Sequence, residues 1–474
     1  MTYNNELAGN KINESSFISE IIERAGERSF EESKIILEKQ LSFLRQQKIR
    51  NEGRISRAKD ITEINKTRGE KEISKVTEGA ILYQKIEDDA TIIDISDLHG
   101  NKNALVTAVN SFTDLVNHQP HTYFNFSGDI GSGQPNKIAI NEILAEMQVN
   151  FPNNTIYEVG NGDRRGNSLF HGLGAEIAEK FSPELFTALS ANVKKVLHRY
   201  QENQIVENAD KEIQKRGWPF NVIFGAELLK AAKESGLEGL DDKELNPEFI
   251  FQIIKTAVSK DNAGYSPTLT ISLLKPLREA LESPTYFSEK TNRQNYQPTI
   301  EKSLQGEALK IFNYWRIQNA IYNEIPTHTF LESSNKIIMA SHTGYVKGVD
   351  KLSELVHDPI KGGQAVWNKF IKREEEKGSV EKYGQFISYN PEQLAEFISK
   401  ISPSKKTVIV LAGHNHKNTA EYLPTASDRS ILRVETSSRF DGKKFIDARY
   451  LKINISQAGG DKSNPELGLE FIKI

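Results

Sequence analysis

The chain has 474 residues, enough for two to four domains or for one domain enlarged by insertions, and it can bury a sizeable core. Its 61 basic and 64 acidic residues nearly cancel and its pI is near 6.4, so the charge balance calls for neither nucleic acid nor an anionic membrane surface. It has no cysteine, which excludes disulfides and thiolate metal ligands, and no apolar run approaches the ~20 residues of a membrane span.

The polar start, MTYNNELAGNKINESS, has no basic-then-apolar signal pattern. It predicts a cytoplasmic protein or one secreted without a cleaved N-terminal signal. From about Ser15 to Arg50 the apolar residues Ile36, Leu37, Leu41 and Leu44 recur at helical intervals, after Ser29 and Glu32 at capping-box spacing. A helical hairpin is expected there. The basic stretch RNEGRISRAKDITEINKTRGEKE has few large apolar residues and reads as a solvated linker or exposed helix, closing an N-terminal helical extension over residues 1–75.

Short β-branched runs follow, AILYQKI, TIIDIS, TYFNFS and TIYEV, separated by helix-compatible segments. They predict the first half of an α/β layered domain over 76–170. From His171 to Phe330 the strand patterns stop, and Ala308, Ile311, Phe312, Trp315 and Tyr322 mark one apolar helical face. This region, 171–330, is expected to be an inserted helical domain. Strands return with KIIMAS, TVIVLAG, SILRVETS and FIDARYLKINI, the second half of the core over 331–456. The remainder, 457–474, reads as a tail; its end, ELGLEFIKI, is compatible with an uncleaved export signal or with a plain terminus.

Each strand of this core is followed by a polar cluster. TIIDIS runs into Asp97, Leu98 and His99, TYFNFS into Gly128 and Asp129, and TIYEV into Gly160, Asn161, Gly162 and Asp163. Asp97, Asp129 and Asn161 are equally spaced, at about the length of one strand-helix-strand unit. KIIMAS leads to His342, and TVIVLAG leads to Gly413, His414, Asn415 and His416. If these strands share a sheet, the clusters meet at the edge where α/β folds place ligands. Oxygen and imidazole donors without thiolate suit two divalent ions such as Mn, Fe or Zn, and a carboxylate shared between two such ions permits a bridging hydroxide near neutral pH.

In this order the five motifs, Asp97-x-His99, Gly128-Asp129, Gly160-Asn161, His342 and Gly413-His414-x-His416, resemble those of the calcineurin-like metallophosphoesterase superfamily. The resemblance covers about Ala80 to His171 and Lys336 to Ile455. It implies a four-layer αββα sandwich in which Asp97, His99 and His416 hold one metal, Asn161, His342 and His414 the other, and Asp129 bridges them. Helical additions around a diverged core also resemble phosphatase effectors that intracellular bacteria deliver into host cells.

The third motif of the family is commonly Gly-Asn-His followed by Asp or Glu, and its histidine is thought to protonate the leaving oxygen. Here Gly162 stands in that place. An alkoxide leaving group needs a proton donor far more than a phenolate does, so the change favours phosphotyrosine or phosphoanhydride substrates. Asp163 can orient Arg164 or Arg165, which can clamp phosphate oxygens, and His171 can replace the missing acid. The second motif reads GDIGSG and lacks the arginine of the protein-phosphatase branch. The resulting expectation is a dinuclear phosphomonoesterase acting on a phosphoprotein, with phosphotyrosine favoured. A phosphodiesterase or nucleotide pyrophosphatase, and a catalytically silent metal-binding interaction protein, remain as alternatives.

Overall fold

The structure is a computed structural model that describes residues 14–49, 54–64, 75–130, 135–160, 162–163, 168–202, 218–237, 300–357, 369–370, 388–403, 406–413, 418–423, 430–437 and 447–474. In chain order, helices α1 (Glu14–Arg24), α2 (Phe30–Ile49) and the short α3 (Arg54–Arg57) precede strands β1 (Lys75–Glu78), β2 (Ile81–Lys85) and β3 (Thr91–Ile95). Strand β3 leads into α4 (Lys102–Val116), β4 (Thr122–Ser127) into α5 (Lys137–Asn150), and β5 (Thr155–Glu158) into a π-helical segment at Leu169–Leu173. Helices α6 (Gly174–Phe181), α7 (Pro183–Glu202), α8 (Trp218–Glu234) and α9 (Lys302–Glu324) then precede β6 (His328–Glu332) and β7 (Lys336–Ala340). The rest comprises α10 (Ser353–His357), β8 (Lys369–Phe370), β9 (Ser388–Tyr389), α11 (Pro391–Ile401), β10 (Thr407–Ala412), β11 (Thr419–Tyr422), β12 (Ile431–Glu435), β13 (Arg449–Asn454) and β14 (Leu469–Lys473).

Two mixed sheets form the centre. Among the described residues the larger runs β1-β2-β6-β7-β10-β12-β11 and the smaller β14-β13-β3-β4-β5. Strands β3, β4 and β5 are parallel to one another, as are β7, β10 and β12. Parallel neighbours end at the same edge, so the loops after β3, β4 and β5 emerge together, as do those after β7 and β10.

Side-chain alternation separates the layers. Ile92, Tyr123 and Ile156 of the smaller sheet meet Ile338, Ile409 and Leu432 of the larger in one buried cluster between the sheets. The opposite face of the smaller sheet, with Ile93, Phe124 and Tyr157, packs under α4 and α5. The outer face of the larger sheet, with Tyr83, Met339 and Val410, packs under α10 and α11. The architecture is the α/β class with the αββα layer order. Helices α6 to α9 share one apolar cluster with α1, α2, α4 and α5, so they thicken the outer helical layer of the smaller sheet. No helix among the described residues is long and apolar enough to cross a membrane.

The helical hairpin at the start has its capping box: Ser29 N donates to Glu32 Oε2 at 2.9 Å, and Glu32 N donates to Ser29 Oγ at 3.4 Å. It is bolted to the core by polar contacts as well as apolar ones. Arg28 reaches Glu142 of α5 at 3.2 Å and Glu146 at 3.1 Å, while Ser33 Oγ donates to Glu142 Oε1 and meets the Tyr314 hydroxyl of α9. Arg28 and Glu142 are almost wholly buried. Replacing Arg28 with alanine strands the Glu142 carboxylate, and urea unfolding is expected to show a loss of about 3 kcal/mol.

Two segments differ from the sequence reading. The described part of the basic linker, 54–64, buries Ile55, Ile61 and Ile64 under the larger sheet, and Glu78 accepts from Ile55 N and Ser56 N at the start of α3. Its sparse apolar residues are spaced to face one side, which overall polarity concealed. The segment read as a tail contributes β14, paired antiparallel with β13, and so belongs to the sandwich. As an edge strand it is only half buried and shows no full apolar run.

Candidate metal centre

The loops after β3 and β4 continue side by side beyond the strands. Asp97 N donates to Gly128 O at 3.1 Å, His99 N to Asp129 O at 3.1 Å, and Gly100 N to Ile130 O at 2.7 Å. To hold this course Asp97, His99 and Asp129 adopt left-handed backbone, with φ of 49°, 46° and 60°. That conformation is unfavourable for residues with a Cβ, at roughly 1–3 kcal/mol each, and such strain clusters at functional sites. Three of the five such non-glycine residues in the described chain lie in these two loops.

Asp97, Asp129 and His342 are buried, and one ligand atom from each lies within 4.8 Å of the others. His342 Nδ1 is 3.0 Å from the carbonyl oxygen of Ser127, to which it donates, leaving Nε2 to face Asp129 Oδ2 at 3.5 Å. His99 Nε2 stands 3.9 Å from Asp97 Oδ1. Burial opposes ionisation of Asp129, yet His342 and then His99 hold its carboxyl below the usual range. Burial also opposes charging of His342, but the Asp129 carboxylate outweighs it and lifts the imidazole to about 9. Two buried carboxylates and an imidazole with Nε2 turned inward fit a divalent ion, which would take the place of the Nε2 proton.

Of the other expected ligands, Asn161, His414 and His416 lie outside the described residues, as do Arg164 and Arg165. Their flanks are described. Gly413, just before His414, donates its N–H to His342 O at 3.1 Å, and a Cβ there would sit 2.6 Å from Asp97 Oδ2. Gly160, just before Asn161, lies so close that a Cβ would fall 2.2 Å from Asp129 N and 2.4 Å from its Oδ1. Backbone glycine is what lets these loops approach the carboxylates.

Gly162 N donates to Asp129 Oδ1 at 2.7 Å, so this position contributes a backbone donor. Asp163 is buried and accepts from Asp129 N at 2.9 Å, Ile130 N at 3.0 Å and Gly160 N at 3.0 Å. Burial and then the charge of Asp129 push its carboxyl up to about 7. Both oxygens of Asp163 are thus engaged by the second and third loops, which makes it a positioning residue of the site.

His171 interrupts the π-helical segment, with φ −96° and ψ 15°, and Gly172 follows at φ 102°, packed close to the Asn221 carboxamide. Its Nε2 is buried without a hydrogen-bond partner among the described residues. Burial drives the imidazole down to about 4, partly offset by the Asp129 carboxylate, so the ring is neutral at pH 7. π-Segments of this kind recur at functional sites.

Ser127, whose carbonyl orients His342, and Asp94 and Glu158, carboxyl side chains buried just behind the ligand loops, lie outside the five sequence motifs. The signal was a charged residue at an inward position of otherwise apolar strands, in TIIDIS and TIYEV.

No family model matches the sequence, and no curated protein does. Among solved structures, the chain matches a protein serine/threonine phosphatase from Saccharomyces cerevisiae, described as similar to human phosphatase PP5. The match has 10% identity and a TM-score of 0.42, over 97% of this chain and 96% of that one.

Proposed function

We propose that the chain is a dinuclear metal-dependent phosphomonoesterase that acts on phosphoproteins and favours phosphotyrosine. The observation that carries the reading is the convergence of Asp97, Asp129 and His342, from three strand ends, on one buried point. Asp97 and His99 with His416 would hold one ion, Asn161 and His342 with His414 the other, and Asp129 would lie between them. Bound divalent ions supply Lewis-acid stabilisation of phosphate oxygens and a hydroxide nucleophile at neutral pH.

The rest falls to the chain. Asp163 and the N–H of Gly162 hold Asp129 in place. His342 is kept in one tautomer by the Ser127 carbonyl. Arg164 and Arg165 follow directly on Asp163 and would clamp phosphate oxygens. His171 is the candidate donor to the leaving oxygen, and its neutral ring offers a hydrogen bond more readily than a full proton. A leaving phenolate tolerates that arrangement and a leaving alkoxide does not. This supports phosphotyrosine over phosphoserine.

The test is hydrolysis of matched phosphotyrosine, phosphoserine and phosphothreonine peptides and of a phosphodiester, with Mn²⁺ and with chelator. Chelator-sensitive release favouring phosphotyrosine is expected. Cleavage of the diester alone would move the enzyme to the phosphodiesterase class, and inertness on all four substrates would leave a metal-binding interaction protein. Gly162→His restores an imidazole at the third motif and is expected to raise phosphoserine turnover by about tenfold or more. An unchanged phosphoserine rate would remove the leaving-group argument.

A further inference from the structure

One pleat below the ligand loops, the space between the sheets turns from apolar to polar. Asp94 on β3, Asn125 and Ser127 on β4, and Glu158 on β5 all take the inward parity of their strands, and Thr436 after β12 joins them. All are buried. Asp94 is well furnished as a carboxylate: Oδ1 accepts from Asn125 Nδ2 at 2.6 Å, and Oδ2 accepts from Thr436 Oγ1 at 2.8 Å.

Glu158 is not so furnished. Its Oε2 is 3.3 Å from Ser127 Oγ, its Oε1 has no hydrogen-bond partner among the described residues, and Ser127 Oγ also lies 3.3 Å from Asp94 Oδ1. Ser127 has one hydroxyl proton and already accepts from Asn125 Nδ2 at 2.9 Å. A single proton cannot serve two carboxylates. The groups facing Glu158 from its neighbours are Asp94, Asn125, Ser127 and Thr329; the Thr329 hydroxyl favours the charged form but is outweighed by burial, none of the four is cationic, and His342 meets this layer only through the Ser127 carbonyl. Burial accordingly raises Glu158 to about 8 and Asp94 to about 6.

We infer that Glu158 is carried as a neutral carboxylic acid donating to Ser127 Oγ, and that its proton is released to solvent when divalent ions load the ligands above it. The inference rests on the metal-dependent reading of the site. Asp97 lies three residues beyond Asp94, within the roughly 10 Å that three residues can span, and Asp94 and Glu158 both lie 3.3 Å from Ser127 Oγ. A double charge at that distance, at an effective dielectric near 20, weakens proton affinity by more than roughly a hundredfold. Glu158 therefore acts as a counter-charge that appears only with the metals, sparing the empty site an uncompensated anion. Nothing in the reaction needs it as a proton donor to substrate.

The experiment is calorimetric titration of Mn²⁺ into the chelator-treated full chain at pH 7, in two buffers of different ionisation enthalpy, for the wild type and Glu158→Gln. The variant is expected to bind Mn²⁺ and to release about one proton fewer per chain; protons lost by the ligands themselves cancel in the difference. Equal release overturns the inference while leaving the metal reading intact. Failure of the wild type to bind Mn²⁺ overturns both. Glutamine replaces a neutral acid almost without change of shape, so a variant that does not fold also overturns it.

A metal-free readout follows from the same linkage. A carboxyl raised in the folded state stabilises it below the unfolded value, and that contribution is lost as pH rises towards about 8. Tm of the wild type is expected to fall relative to Glu158→Gln as pH rises from the ordinary carboxylate range to about 8 and to level off above it. Parallel curves would count against a neutral Glu158.

Discussion

Asp129→Asn is expected to abolish metal-dependent turnover and to weaken Mn²⁺ binding by more than about a hundredfold, since losing even an outer partner of a ligand costs tenfold to a hundredfold. The amide keeps the shape and can still accept from Gly162 N, so the fold should survive. What it loses is the charge around which Asp97, His99 and His342 are arranged. A second signature needs no metal. With Asp129 ionised, His342 titrates near 9; with asparagine there, burial is left to dominate and the imidazole should titrate below its ordinary value. NMR titration of His342 in the metal-free protein reads this directly. Wild-type turnover in the variant would remove the dinuclear centre from consideration.

Gly160→Ala should be nearly as damaging although it replaces no ligand. The added methyl would lie 2.2 Å from Asp129 N and 2.9 Å from its Cα, backbone atoms that cannot swing aside. The second and third loops must therefore separate, breaking the contacts that Asp163 makes to both. The expected outcome is a loss of roughly 1–3 kcal/mol in unfolding experiments together with loss of Mn²⁺ binding. Gly306→Ala serves as the contrast. That glycine lies on an exposed stretch of α9 with nothing within 4 Å of the place an added methyl would take, and alanine there should stabilise by about 0.5–1 kcal/mol. Equal effects from the two substitutions would show that close packing at Gly160 is not what matters.

The parts of this architecture that could be read from the letters are those in which a strong local pattern meets a stop. TIIDIS, TYFNFS, KIIMAS and TVIVLAG are apolar runs ended by polar residues of distinctive chemistry, and they become β3, β4, β7 and β10 with the loops of the site at their ends. Ser29 and Glu32 gave the start of α2 in the same way. Strands β11 and β14 escaped because they lie at sheet edges, where one face stays wet and the alternation is blurred. Asp94 and Glu158 escaped for a different reason: a buried carboxyl is intelligible only once the residues across the sheet are known. The left-handed backbone of Asp97, His99 and Asp129 had only a weak sequence signal, since aspartate and histidine are enriched among non-glycine residues of positive φ but most of them do not adopt it.

The bolting of the first helices to the core has a consequence for how the chain is made. Arg28 waits for Glu142, and Ser33 meets Tyr314 across 281 residues of sequence. At roughly 5–20 residues per second on a ribosome, α2 therefore spends on the order of tens of seconds outside the exit tunnel with the part of its apolar face that α9 covers still open. The nascent chain is exposed to aggregation through that interval, and α2 is fully seated only once α9 has been made. Growth temperature and chaperone supply should then limit the yield of folded protein more than the stability of the finished molecule does.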